Sequence, residues 1–285
     1  MVTGREDKVI NAIVYIGLTL VALAAVVPIL IVVSASFTPY AELLKNGGYV
    51  LFPRSFTVDA YTYLWEDSRM PRAFAVTVFI TVVGTALNLL LTTFLAYPLS
   101  QRRLPGRSIL LMGLLMTTLF SAGIIPTYLV VKATGLLDTV WALIIPSAVS
   151  VFNVLVMMTF FRGLPTELFE SARLDGAGEL RTLLQIVVPL SAPVLMTIGL
   201  FYGVANWNTF LNAVLYVRDP DLLPLQVVVR DLLVQSVAMD DPDAVVPTVT
   251  VRMAAVVVAA VPMIVVYPFV QKYFQKGVLL GSIKG

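Results

Sequence analysis

AFAVTVFITVVGTALNLLLTTFLAYPLSQ, residues 73–101, runs from Arg72 to Arg102 without one charged side chain. A helix needs roughly 20 predominantly apolar residues to cross the hydrocarbon core of a bilayer, and this stretch exceeds that. It lacks the strict alternation of a membrane-barrel strand. A helix satisfies its backbone groups internally where lipid offers them no partner. The stretch therefore predicts a transmembrane helix over residues 73–98.

Outward from it, charge-free intervals recur at Lys8–Glu42, Arg107–Lys132, Asp138–Arg162, Arg181–Arg218 and Arg252–Lys272. They predict spans over 10–34, 108–131, 139–161, 184–206 and 249–271. The first interval follows Arg5 and Lys8, but it is far longer than the roughly 7–15 apolar residues of a cleavable signal, so it reads as a retained span. The chain is 59% hydrophobic and 13% charged, against about 25% charged in a soluble domain. The expected fold class is all-α and integral to the membrane, with six transmembrane helices in a single domain over residues 1–285.

Charge placement orients these spans. Arg102, Arg103 and Arg107 fall in one short loop, Arg162, Arg173 and Arg181 in another, and Lys272, Lys276 and Lys284 in the C-terminal tail. With Arg5 and Lys8 they share one side, which the positive-inside rule makes the cytoplasm, so both termini are expected there. Glu66, Asp67, Asp219, Asp221, Asp240, Asp241 and Asp243 collect on the other side. Of the two long outer segments, the first predicts a short helix over 58–65 capped by Thr57. The second predicts a helix over 222–233 with Pro224 near its start. Residues 240–247, acidic and holding Pro242 and Pro247, read as irregular.

The chain has no cysteine and no histidine. That removes disulfides, thiol nucleophiles, Cys and His metal ligands and the usual general base, so neither a catalytic residue nor a metal site is expected. A net charge of +2 gives no footprint for nucleic acid. No Gly-x-x-x-x-Gly-Lys-Ser/Thr phosphate loop occurs.

The loop between spans four and five, residues 162–183, contains LPTELFESARLDGAG at 164–178. Pro165 suits a first helical turn, Leu168, Phe169 and Ala172 share one face, and Gly176 can take the left-handed conformation that ends a helix. The spacing predicts a short amphipathic helix, a tight break and a second helix running into span five. Such a helix can simply lie on lipid, and Gly176 serves the turn in either case.

The run Glu170-Ser171-Ala172, Gly176, Ile186 and Pro189 resembles the EAA loop, which marks the membrane subunits of bacterial ATP-binding-cassette importers. That pattern is Glu-Ala-Ala, three residues, Gly, nine residues, Ile-x-Leu-Pro; here Ser171 replaces Ala and Val188 replaces Leu. The resemblance implies a coupling helix that docks on a separate ATPase and moves when the ATPase dimer closes. Leu168, Phe169, Glu170, Ser171, Ala172, Arg173, Asp175 and Gly176 are the ATPase-coupling residues it implies. ATP and Mg would bind that partner, and this chain would bind no cofactor.

The segments Asn206-Trp207-Asn208-Thr209-Phe210, Leu223-Pro224-Leu225-Gln226 and Gly281-Ser282-Ile283-Lys284-Gly285, with Phe52-Pro53 and Tyr61, are similar to carbohydrate-importer permeases. The likeness is to the maltose-transporter second-subunit type and its complex-oligosaccharide group. It implies a second permease subunit, an extracytoplasmic sugar-binding protein and alternating access in the bacterial inner membrane. In such systems the substrate site can belong to the partner permease.

Sugars are held by aromatic faces and neutral hydrogen-bonding groups. Asn153 in span four, with Tyr202, Asn206, Trp207, Asn208 and Asn212 at the end of span five, are the pathway candidates. Helix–helix hydrogen bonding competes with that role for Asn153, and interfacial anchoring competes for Trp207. Pro28, Pro126, Pro146, Pro189, Pro193 and Pro262 interrupt the spans and favour kinks. Pro189 and Pro193, just after the motif, are hinge candidates. Two other classes remain: an importer permease for an amino acid or peptide, and an ion-coupled secondary transporter. The latter commonly carries ionisable residues within its spans, and these spans carry none.

Overall fold

The computed structural model describes residues 5–66, 69–238 and 248–282. The acidic segment 240–247, Asp67 and residues 283–285 of the terminal motif lie outside them. Among the described residues there is no strand. The helices are α1 (Arg5–Ser36), α2 (Tyr40–Lys45), α3 (Asp59–Glu66), α4 (Met70–Ser100), α5 (Arg107–Leu119) and α6 (Ile124–Ala133). They continue with α7 (Trp141–Ile144), α8 (Val151–Arg162), α9 (Thr166–Leu174), α10 (Glu179–Thr182) and α11 (Val188–Leu190). Last come α12 (Ala192–Trp207), α13 (Leu211–Tyr216), α14 (Leu225–Ala238) and α15 (Thr248–Ser282).

Among the described residues three stretches are long and apolar enough to cross a bilayer unbroken: Ile10–Ser36, Met70–Ser100 and Val249–Val266. Three helix pairs would each make a broken span: α5 with α6, bent by 115°; Trp141–Ser147 with α8, bent by 55°; and Glu179–Leu190 with α12, bent by 84°.

The breaks have local causes. Where one helix was expected over 108–131, α5 stops at Leu119. Gly123 has φ +85 and an extended ψ, a conformation essentially confined to glycine. Pro126 then sits in the first turn of α6, where its missing N–H costs nothing. In the next pair Pro146 lies in a single 3-10 turn, Ile145–Ser147. Extended Ser150 then caps α8 by accepting the Asn153 N–H at 3.5 Å. In the third pair a π turn covers Leu183–Val187, with the Val188 N–H bonded five residues back to the Leu183 carbonyl. Pro189 and Pro193 flank the vertex at Ser191, and neither can donate to the ladder. In α15, by contrast, Pro262 and Pro268 lie inside one continuous helix that runs past residue 271 to Ser282. The helix expected over 222–233 begins at Leu225, because a residue preceding proline is pushed towards extended backbone. Leu223, before Pro224, has φ −71 and ψ 130.

The chain forms two compact units. One comprises residues up to Pro71 together with Val229–Val261; the other comprises Arg72–Val228 and the residues from Pro262 onward. In the first, Phe37 stacks on Phe56 and Tyr61 at 4.9 and 4.8 Å. The Tyr61 hydroxyl meets that of Ser36 at 2.7 Å. Ala35, Leu43 and Val50 form a small core with Val249 and Met253. The Glu42 carboxylate accepts the Ser55 hydroxyl and the backbone N–H groups of Arg54 and Ser55, which hold its pKa below the usual value.

The second unit packs α4, α8 and α12 together. Leu99, Met157, Phe161, Val187 and Ile198 are fully buried in its main core. Lipid is as apolar as leucine, so close contact and hydrogen bonding must hold membrane helices together. Gly199 and Gly203, one turn apart on α12, admit α4. A Cβ on Gly199 would lie 3.3 Å from the Leu89 Cδ1, and one on Gly203 3.7 Å from the Thr85 Oγ1. A Cβ on Gly84 of α4 would lie 2.9 Å from the Asn206 Nδ2.

Candidate functional site

Two places gather the residues singled out in the sequence, and both lie in the second unit. The first is an open cleft of about 620 Å³ between the start of α8 and the end of α12 with α13. Asn153, Tyr202, Asn206, Asn208 and Asn212 all line it, and none of its lining residues is charged. Trp207 does not line it. That side chain is 3% exposed and meets Phe74 edge-on at 5.9 Å, so the helix turns it onto α4 and away from the opening.

The cleft wall is a hydrogen-bonded seam between α4 and α12. The Asn206 Nδ2 donates to the Asn88 Oδ1 at 2.9 Å and to the Thr85 Oγ1 at 3.3 Å. The Asn88 Nδ2 donates to the Ala148 carbonyl at 2.7 Å, satisfying backbone at the break before α8. The Tyr202 hydroxyl lies 2.6 Å from the Thr92 Oγ1 and accepts the Ser150 N–H at 3.0 Å. The Tyr202 hydroxyl and the Asn206 Nδ2 are thus engaged by α4 and the Ser150 backbone, while both side chains line the cleft. Asn208 is exposed, with its Nδ2 donating to the Val204 carbonyl at 2.8 Å.

Three aromatic residues of the lining, Phe152, Phe201 and Phe210, were not among the pathway candidates. Phe152 is 64% exposed, and its ring centre lies 6.5 Å from that of Phe201. In a chain this apolar, phenylalanine signals nothing by type. The available hint was spacing: Phe201 and Ala205 flank the polar Tyr202 and Asn206 at helical intervals.

Beyond the cleft, Asp138 anchors the far end of α13. It has φ +61, uncommon for a residue with a side chain. The Asp138 Oδ1 accepts the backbone N–H groups of Arg218 and Asp219, both at 2.8 Å, and its own N–H donates to the Tyr216 carbonyl at 2.8 Å. The Asp219 and Arg218 N–H groups hold its carboxyl below the usual aspartate value.

The second place is the loop 162–183. Pro165 precedes α9, and the helix closes in a Schellman motif. The Gly176 N–H bonds to the Arg173 carbonyl at 3.1 Å, the Ala177 N–H bonds to the Ala172 carbonyl at 2.9 Å, and Gly176 has φ +74. Ala172 is buried, Phe169 packs on the main core and Leu168 is half-buried. Phe169 and Ala172 therefore seat α9 on its own chain. The bare apolar side chain of α9 is Leu174, 89% exposed and on the opposite face. Glu170, Ser171, Arg173 and Asp175 are exposed. Glu170 lines a recess of about 350 Å³ together with Arg102, Arg103, Arg162 and Arg173. The Arg107 Nε and Arg162 Nη2 donate to the Leu99 carbonyl at 2.8 and 3.4 Å, placing positive charge at the C-terminal end of α4.

At the elbow after α9, the Arg173 Nη2 donates to the Glu179 Oε1 at 3.2 Å, and the Tyr97 hydroxyl of α4 donates to the Glu179 Oε2 at 2.6 Å. At the vertex of the third bent pair, Ser191 is fully buried with its hydroxyl unpartnered. Pro189 is exposed and Pro193 half-buried.

Comparison with known proteins places this architecture. The chain is 41% identical to the polygalacturonan/rhamnogalacturonan transport system permease protein YtcP of Bacillus subtilis strain 168, over 98% of this chain and 100% of that one. It is 44% identical to protein LplC of the same organism, over 99% of this chain and 96% of that one. A crystal structure of a bacterial ABC transporter involved in import of the acidic polysaccharide alginate superposes with TM-score 0.89 at 31% identity, covering 95% of this chain and 98% of that chain. The model of binding-protein-dependent transport system inner membrane components matches residues 7–280, and the chain belongs to that family.

Proposed function

We propose that this chain is one permease subunit of an ATP-driven importer that moves an oligosaccharide through the bacterial inner membrane by alternating access. The observation that carries the reading is α9: a short surface helix, closed by Gly176, in the one loop of this family member that matches the EAA spacing. The ATPase dimer would engage the exposed face of α9 through Glu170, Ser171, Arg173 and Asp175, with Leu174 as the apolar contact. Leu168, Phe169, Ala172 and Gly176 would hold the helix in place for that contact. ATP and Mg would bind the partner. The basic side of the chain, with both termini, would face the cytoplasm.

An ATPase dimer offers two docking sites and this chain supplies one α9, so a second permease subunit completes the channel. A sugar-binding protein would deliver cargo from outside. Carbohydrate is supported by the names of the relatives and by the chemistry of the cleft: Asn153, Tyr202, Asn206, Asn208 and Asn212 beside Phe152, Phe201 and Phe210 offer amide edges and ring faces without charge. Pro189 and Pro193 at the 84° bend would serve as the hinge of span five.

The test is uptake into vesicles carrying the intact assembly, purified through a tag on this chain. Labelled oligosaccharides of galacturonate, arabinose and glucose serve as probes. Uptake of at least one should require ATP and vanish in Glu170→Lys and Gly176→Pro. Absence of a nucleotide-hydrolysing companion, or uptake driven by an ion gradient alone, would refute the reading.

A further inference from the structure

We propose that force delivered to α9 reaches the cleft through α4, and that Glu179 is the positioning residue that joins them. The inference rests on the coupling role assigned to α9 above. Two routes lead from α9 to the cleft. The covalent one passes Gly176, Ala177 and Gly178, then the π turn at Leu183–Val187, Pro189, and an 84° bend at Ser191 before α12 begins. Glycines, a π turn and prolines are the usual places where a helix yields. A push along that line is absorbed before it arrives.

The other route is short and bypasses those breaks. Arg173 on α9 reaches one oxygen of Glu179, and Tyr97 on α4 donates to the other, at 3.2 and 2.6 Å. Arg173 and Glu179 are exposed, so their ion pair alone contributes little. Tyr97 is 6% exposed and fixes the direction of the charge-assisted bond. A recess of about 460 Å³, lined by Phe94, Tyr97, Arg173, Glu179 and Leu183 among others, lies beside the joint.

From Tyr97, α4 runs back as unbroken helix. Thr92, Asn88 and Thr85 lie on it at spacings of four and three, and these are the residues that hold Tyr202 and Asn206 of the cleft wall. Tyr97 and Asn88 are about 14 Å apart along the helix at 1.5 Å per residue. One continuous helix thus carries the joint at one end and the cleft seam further along.

The chain has no native cysteine, so a single one at Ala205→Cys, in the cleft lining, can report the cleft's state. The intact assembly in nanodiscs is treated with a membrane-impermeant maleimide, with and without ATP, Mg and vanadate. Nucleotide should change the labelling rate of the parent. Tyr97→Phe and Glu179→Gln should each shrink that change by about two- to thirtyfold, the range for residues along a coupling route. The double variant should lose no more than the worse single, with the ATPase subunit co-purifying in full. An undiminished change in both variants overturns the proposal, as does loss of the ATPase subunit, which would mark Glu179 as structural only. A parent that shows no nucleotide response instead refutes the coupling role of α9.

Discussion

At the cleft, Asn88, Asn206, Thr92 and Tyr202 exchange hydrogen bonds while buried and uncharged. At the α9 elbow, Tyr97, Glu179 and Arg173 meet with both charged partners open to solvent. The cleft side is a fixed wall: Asn88, Asn206, Thr92 and Tyr202 tie α4 to α12, and glycines draw the two helices together. The elbow is a joint: its helix ends on a left-handed glycine, and its contacts are few and exchangeable. A buried neutral network is costly to rearrange, whereas exposed ionic contacts can be remade. The two regions therefore suit different work, shape at one and motion at the other.

The comparison is broken most severely at the elbow. Gly176→Pro cannot adopt φ +74 and loses the N–H bonded to Arg173. Misfitting prolines cost about 3 kcal/mol or more, so ATP-driven uptake should fall by at least about 100-fold, measured as initial rate. Gly84→Ala attacks the wall instead. Its Cβ would sit 2.9 Å from the Asn206 Nδ2, so the Asn88–Asn206 bond must shift. Overpacking of this kind costs about 1–3 kcal/mol, to be read as a lower unfolding midpoint in detergent.

Phe152→Ala sharpens the contrast, since it removes a ring face from the cleft and leaves the wall intact. Stacking is worth about 0.5–1.5 kcal/mol. KM for the carried sugar should rise by roughly two- to tenfold with kcat nearly unchanged. A fall in kcat alone would move Phe152 out of the cargo route.

The smallest effect concerns Asp138. Its pKa is lowered in the folded chain, so its grip on residues 218 and 219 is complete above the ordinary carboxylate value and is lost as pH falls through the lowered one. Amide NMR shifts of Arg218 and Asp219 should follow that titration at acid pH and stay flat in Asp138→Asn.

Much of this was legible from residues alone. Apolar length marked the places of the spans, and the order of Pro165, Phe169, Ala172 and Gly176 specified a short helix with a glycine stop. The bend at Gly123 was only half visible: Pro126 marked the place, but nothing in the composition said that the chain would turn by 115°. The destination of Trp207 was not visible at all. A tryptophan near a span end satisfies an interface, a channel or a core equally well until Phe74 is seen beside it.

What the sequence determined by itself is where the apolar spans lie and where several of them break, because both follow from local chemistry: apolar length, proline and glycine. Only the tertiary structure decided that Asn206 faces Asn88 and that Glu179 meets both Tyr97 and Arg173. Those pairs lie far apart in the chain, Asn88 from Asn206 and Tyr97 from Glu179. A side chain's partner across a helix interface depends on rotation and approach, which no stretch of neighbouring residues encodes.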